Sequence, residues 1–297
     1  GIAAFRLTAE MAPYLLFGII AAGLLHVLLP VDWASRNLGG SGIKPVIKAA
    51  LIGIPLPLCS CSTLPIAALL KKQGASNGAV VSFLVTTPTS GVDSIFATYS
   101  LMGGIFTVAR VISSFFIGIT VGIVETFTKT EDFEKPAENF SQTTVSLNKL
   151  SLKEKVVSSF SYGFGELLGS MAKSLAIGLI LGGAITYLMP ADFLEEYLGY
   201  GIVSYVAAAA FGVPLYVCAT GSIPMAASLL SKGLSPGAAL VFLIAGPAVN
   251  AAALPVIAKI LGKRTTTLFV AVLIIGAITA GFIFDKFLGF FPDFLTA

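Results

Sequence analysis

Cys59 and Cys61 stand two residues apart inside a proline-bracketed stretch, IPLPLCSCSTLP, of a strongly apolar chain. On an intact helix, positions i and i+2 point to nearly opposite sides. In an extended stretch held open by Pro55, Pro57 and Pro65 they face the same way, as in a strand. A third cysteine, Cys218, occupies the matching place in a second version of the motif, VPLYVCATGSIP. Three thiolates converging at mid-membrane would suit a soft, thiophilic ion such as Cu(I), Zn(II) or a trivalent arsenical. Cys59, Cys61 and Cys218 are therefore the candidate substrate and metal ligands. The competing reading is packing, since cysteine also serves as a small apolar residue that lets helices approach closely.

Other polar groups gather at a second interruption. Thr86, Thr87, Thr89 and Ser90 form a hydroxyl cluster in TTPTSG (86–91). They can recapture backbone carbonyls freed at a helix break, or line a substrate path. Asn250 stands at the matching interruption, AGPAVN (245–250), where its amide could contact substrate or cap a half-helix. Asp93 is the carboxylate nearest a break and the candidate proton-coupling site, because an intramembrane acid is functional by default. The alternative for Asp93 is an interfacial or capping role, and its counterpart in the second half is Ala252. His26 ends the first apolar run with no cysteine or carboxylate beside it, which reads as a packed or interfacial histidine. Glu10 and Glu166 precede the first span of each half and read as interfacial.

These residues are positioned by a chain that repeats itself. Residues 53–90 align without a gap on residues 212–249, with fifteen of 38 positions identical. The identities include Gly53/Gly212, Pro55/Pro214, Cys59/Cys218, Pro65/Pro224 and Pro88/Pro247. Each half reads as four apolar segments: 11–29, 44–72, 76–102 and 104–127, then 168–190, 200–231, 235–261 and 265–285. Residues 1–127 and 158–297 are thus two transmembrane repeats, joined by a polar, mixed-charge cytoplasmic linker over 128–157. Matched interruptions in two apolar halves are the sequence mark of a transporter with a midplane binding site.

Composition fixes the broad class. Only 11% of residues are charged, about half the share of a soluble domain, and mean hydropathy is +0.93. Runs such as 14–29 and 268–284 carry no charge and approach bilayer length. The expected fold is an all-α polytopic membrane protein. Gly1–Glu10 lacks the pattern of a cleavable signal, so the first apolar run is expected to anchor the chain itself. If the second segment of each half dips in and returns, lysines and arginines divide about 14 to 4 between the two sides, against about 11 to 7 for full crossings. The positive-inside rule favours the first arrangement, which makes the repeats inverted and the helices broken or re-entrant. A net charge of +3 with no basic patch gives no sign of nucleic acid. No P-loop, HExxH or CxxC occurs, so transport driven by a gradient is expected, with no enzymatic step and no cofactor.

PLPLCSCSTLPIAALLKKQGAS, followed by FLVTTPTSGVDS, resembles the predicted permease family that includes the ArsP organoarsenical exporters, with relatives linked to heavy-metal efflux. APYLLFGIIAAGLLHVLLP at 12–30 resembles that family's first span, and the resemblance covers nearly the whole chain. It implies an inner-membrane efflux permease for trivalent organoarsenicals such as methylarsenite, with Cys59, Cys61 and Cys218 as thiolate ligands. The expected partners are a small metal or metalloid substrate and the lipid bilayer, with room for a homodimer. Two other readings stay open: passage of a small sulfur-containing anion along a cysteine relay, and a membrane thiol-redox or scaffold subunit.

Overall fold

The computed structural model describes residues 33–40, 42–56, 58, 60–128, 201–213, 219–231, 233–249 and 253–290. The expected spans at 11–29 and 168–190, the linker beyond Thr128, Glu10, His26, Glu166, Cys59, Cys218 and Asn250 lie outside them, as does the side chain of Cys61. The regular structure of the described residues is helical: α1 (Trp33–Leu38), α2 (Ile43–Gly53), α3 (Ser60–Lys72), α4 (Asn77–Ser90) and α5 (Val92–Phe127), then α6 (Ile202–Gly212), α7 (Ala219–Ser231), α8 (Pro236–Ala248), α9 (Ala253–Leu261) and α10 (Lys263–Phe290). Two of these, Val92–Phe127 and Lys263–Gly289, are long and apolar enough to cross a membrane. The pair α8 and α9, bent by 60°, makes a third candidate. Phe96, Val108, Ile112 and Phe116 on α5, with Ile275, Phe282 and Ile283 on α10, are exposed, as lipid-facing side chains are.

The prolines of IPLPLC act as expected: α2 ends at Gly53 and the helix resumes only at Ser60. The second interruptions fall within TTPTSG (86–91) and AGPAVN (245–250) as expected, a little after the prolines themselves. Pro88 and Pro247 lie inside α4 and α8, and the first of these helices runs on to Ser90 before Gly91 leaves the helical region. Each proline removes one donor near the end of a helix buried along its length, where packing outweighs one lost bond.

Turn chemistry recurs 159 positions apart. Ser76 and Ser235 cap α4 and α8, their Oγ atoms accepting from Ala79 N at 3.3 Å and Ala238 N at 3.1 Å. The preceding helices close alike: Gly74 N donates to Lys71 O and Ala75 N to Leu70 O, while Gly233 N donates to Leu230 O and Leu234 N to Leu229 O. That paired pattern needs a left-handed residue, and Gly74 (φ 89°) and Gly233 (φ 100°) supply it. Gly103 (φ 83°) and Gly262 (φ 88°) mark the boundaries between the third and fourth apolar segments.

Small residues let the helices touch. A Cβ on Gly53 would meet the Thr86 and Thr87 hydroxyls at 2.5 and 2.7 Å, so α2 lies directly on α4. Gly118 and Gly122 seat the later part of α5 against Thr86, Ser82 and Gly78, running antiparallel to α4. In the second half Gly212 faces Gly246, and Gly237 faces Gly281. There Asp285 accepts from Gly237 N at 2.6 Å and from the Tyr205 hydroxyl at 2.8 Å, capping α8 from α10.

The two membrane-length helices pack against each other in opposite directions. Phe106 meets Phe284 edge-to-face at 5.4 Å, Ile117 lies against Gly276, and Thr265 Oγ1 donates to Glu125 Oε1 at 2.7 Å. As residue numbers rise along α5, those of their partners fall along α10.

Candidate substrate site at the broken helices

The two interruptions of the first half meet. A Cβ on Gly91 would lie 3.2 Å from Leu56 O, 3.4 Å from Thr87 O and 2.7 Å from Asp93 Oδ1. Leu56 belongs to the non-helical stretch after α2, and Leu58, next to Cys59, is buried. The glycine therefore allows Leu56, three residues before Cys59, to sit against the hinge between α4 and α5.

Hydroxyls at the hinge fall into two groups. Thr86 Oγ1 donates to Ser82 O at 3.0 Å and Thr89 Oγ1 to Val85 O at 2.6 Å. Those two satisfy the backbone of their own helix, the structural role open to them from sequence. Thr87 Oγ1 and Ser90 Oγ are fully buried and have no hydrogen-bond partner. A buried hydroxyl without a partner costs free energy, and that of Thr87 lies against α2, 2.7 Å from a Cβ on Gly53.

Beyond the hinge the chain folds back. Arg110 Nη1 donates to Thr98 Oγ1 at 2.5 Å. Twelve residues along a straight helix span about 18 Å, more than these two side chains can bridge. The turn is at Gly103 (φ 83°, ψ 172°), which bends α5 so that its early part faces its later part. Thr98 in turn donates to Ser94 O at 2.7 Å, leaving its oxygen to accept from the arginine. Arg110 is 2% exposed, and among the described residues its Nε and Nη2 have no partner; nor do the buried Ser94 and Ser114 hydroxyls. Asp93 is exposed in the first turn after the hinge, where a carboxylate complements the helix N-terminus, and its charge acts on Arg110.

Of the residues singled out from sequence, Thr86, Thr87, Ser90 and Asp93 thus gather at one hinge, against the backbone that leads to Cys59. Arg110 has no role in the sequence reading. The available signal was a lone arginine with Ser114 one helical turn on, in a stretch whose second-half equivalent holds Phe269. Glu125–Thr265 and Asp285–Tyr205 were equally silent, since each pair joins residues far apart in the chain.

Apolar helices broken at matched places around buried polar groups define a helical membrane protein. A family model described as a predicted permease (ArsP_1) matches residues 4–286, so the chain belongs to that family of predicted permeases. It is 24% identical to the UPF0718 protein YraQ of Escherichia coli, over 89% of this chain and 74% of the relative. It is 22% identical to the UPF0718 protein MJ0584 of Methanocaldococcus jannaschii, over 91% and 90%. A Streptococcus mutans protein, named as a candidate subunit of a two-component membrane permease complex, is 22% identical over 81% and 80%. No solved structure matches.

Proposed function

We propose that this chain is a secondary-active permease of the inner membrane that exports a thiophilic metal or metalloid species, a trivalent organoarsenical such as methylarsenite foremost. Cys59, Cys61 and Cys218 bind the cargo at mid-membrane, Thr87, Ser90 and Asn250 flank it, and Asp93 couples its movement to protons. The contact of Gly91 with Leu56 carries this reading, because it sets the approach to the CSC motif against buried, unpartnered hydroxyls and a carboxylate. Membership of a permease family supports transport over an enzymatic role.

The same reading takes the halves as inverted repeats. Three observations support it: glycines and caps recurring 159 positions apart, the part of α5 after Gly103 and α10 as equivalent helices, and the opposite directions in which those two pack. Repeats related by an axis along the membrane normal would set equivalent helices parallel. On this reading Cys59 and Cys218 lie near an axis in the membrane plane, at mid-depth.

Everted vesicles test the cargo. Methylarsenite, Cu(I) and Zn(II) are supplied with and without a proton gradient, and gradient-dependent uptake of methylarsenite is the expected result. Uptake of none of the three by a well-expressed protein would sink the proposal. Crosslinking in native membranes reads the partner: a homodimer is the expected product, and a second membrane subunit is the alternative raised by the Streptococcus mutans relative's name.

One observation favours a second reading, a permease for a small sulfur-containing anion. A buried guanidinium with free donors attracts negative charge, and thiosulfate added to the vesicle series separates the two cargoes.

A further inference from the structure

Arg110 heads the fully buried side chains of the described residues by volume. Its Nη1 is anchored on Thr98, which fixes the plane of the guanidinium. The two nitrogens left without partners, Nε and Nη2, form one edge of the fork. Their N–H bonds run nearly parallel, the geometry that grips two oxygens of one anion. Ser114 lies one helical turn beyond Arg110, and Ser94 one turn before Thr98. Both hydroxyls are buried, without partners, and able to donate to an acceptor oxygen.

The helical frame does not need this charge. At the equivalent positions 159 residues on, Ser94, Thr98, Arg110 and Ser114 become Ala253, Ile257, Phe269 and Leu273, all buried. The second half thus fills the same places with apolar side chains. An uncompensated guanidinium inside a membrane is costly, so its retention with a free edge points to an occupant. Asp93 acts on it electrostatically but is exposed, and it forms no hydrogen bond with Nε or Nη2.

We propose that Arg110, Ser94 and Ser114 form a binding site for one small, soluble oxyanion within the fold-back of α5, with Thr98 as the positioning residue. The chemical class is an anion presenting two adjacent acceptor oxygens, such as sulfate, thiosulfate or an arsonate or phosphonate group. A halide can accept from both donors but offers a single acceptor atom, so it matches neither the paired-oxygen geometry nor the two serine hydroxyls as well. The site faces inward: Val108 and Ile112, on either side of Arg110, are 57% and 50% exposed, against 2% for the arginine, which sets it away from lipid phosphates. It contains no sulfur ligand, so it stands apart from the thiolate reading above.

The test is titration of the full chain in neutral-lipid nanodiscs with sulfate, thiosulfate and chloride at fixed ionic strength, read by calorimetry and thermal unfolding. One saturable site for the two oxyanions is expected, with chloride much weaker. Arg110→Gln should weaken that binding roughly 10- to 100-fold. Arg110→Lys keeps the charge but loses the fork and should fall between. Asp93→Asn, which removes a competing carboxylate, should tighten it. Should Arg110→Gln not fold, the wild-type, Arg110→Lys and Asp93→Asn titrations decide. The proposal is overturned by any of three results: no saturable oxyanion binding to the wild type, unchanged affinity in a folded Arg110→Gln, or an arginine-dependent signal only with anionic phospholipid. Because sulfate is not thiophilic, its titration succeeds or fails independently of the cysteine ligands.

Discussion

Gly53 and Gly212 each let one helix lie on the next, yet they meet different chemistry. Gly53 faces two threonine hydroxyls, whereas Gly212 faces the Phe242 ring and the backbone of Gly246. The contrast continues along the chain, with Thr86, Thr87 and Ser90 answered by Ala245, Gly246 and Val249, and Arg110 by Phe269. The second half has its own polar device, Asp285 holding Tyr205 and Gly237 N, but there every named partner is satisfied. In the first half Thr87, Ser90, Ser94, Ser114 and two nitrogens of Arg110 are not. Similar glycine packing thus supports an apolar lining in one half and unsatisfied donors in the other. Among the described residues, turn and glycine-packing geometry is what the two regions share, and unsatisfied polar groups are what separate them.

The largest expected effect that tests this contrast is on coupling. Asp93 has Ala252 as its counterpart, so only the first half offers this carboxylate. Asp93→Asn should abolish gradient-driven export while leaving thiophile binding nearly intact. Overlapping pH profiles of export for variant and wild type would remove Asp93 from the mechanism and leave it as a helix-terminus charge.

A packing comparison comes next in size. Gly53→Ala drives a methyl group to 2.5 and 2.7 Å from two hydroxyls, while the nearest atom to one on Gly212 is 3.3 Å away. The first change should cost about 1–3 kcal/mol and the second distinctly less, measured by thermal unfolding in detergent. Equal costs would mean that the tighter approach in the first half is readily relaxed.

The smallest effect should be symmetric. Ser76→Ala and Ser235→Ala each remove one cap from a helix N-terminus and should each cost about 1 kcal/mol. A large difference between them would show that the shared turns are not energetically alike.

Much of the frame was legible in the residues. Prolines at 55 and 57 announced the end of α2, and the split of apolar segments at 102/104 anticipated the turn at Gly103. The second interruption was legible within TTPTSG, but the residue at which it falls was not, because the packing that carries α4 past Pro88 to Ser90 is tertiary. At the site, the threonine cluster was visible, but not the division between hydroxyls turned to their own backbone and those left free. Arg110 was illegible for a related reason. Its partner Thr98 lies twelve residues back, and only a fold-back at Gly103 joins them.

Proteoliposomes containing the full chain, loaded with methylarsenite under an imposed proton gradient, test the central claim most directly. Cys59→Ser with Cys61→Ser changes little volume but removes the two soft sulfur donors of the CSC motif. The account predicts gradient-dependent transport by the wild type and its loss in a well-folded double variant. Transport by that variant at the wild-type rate would contradict it.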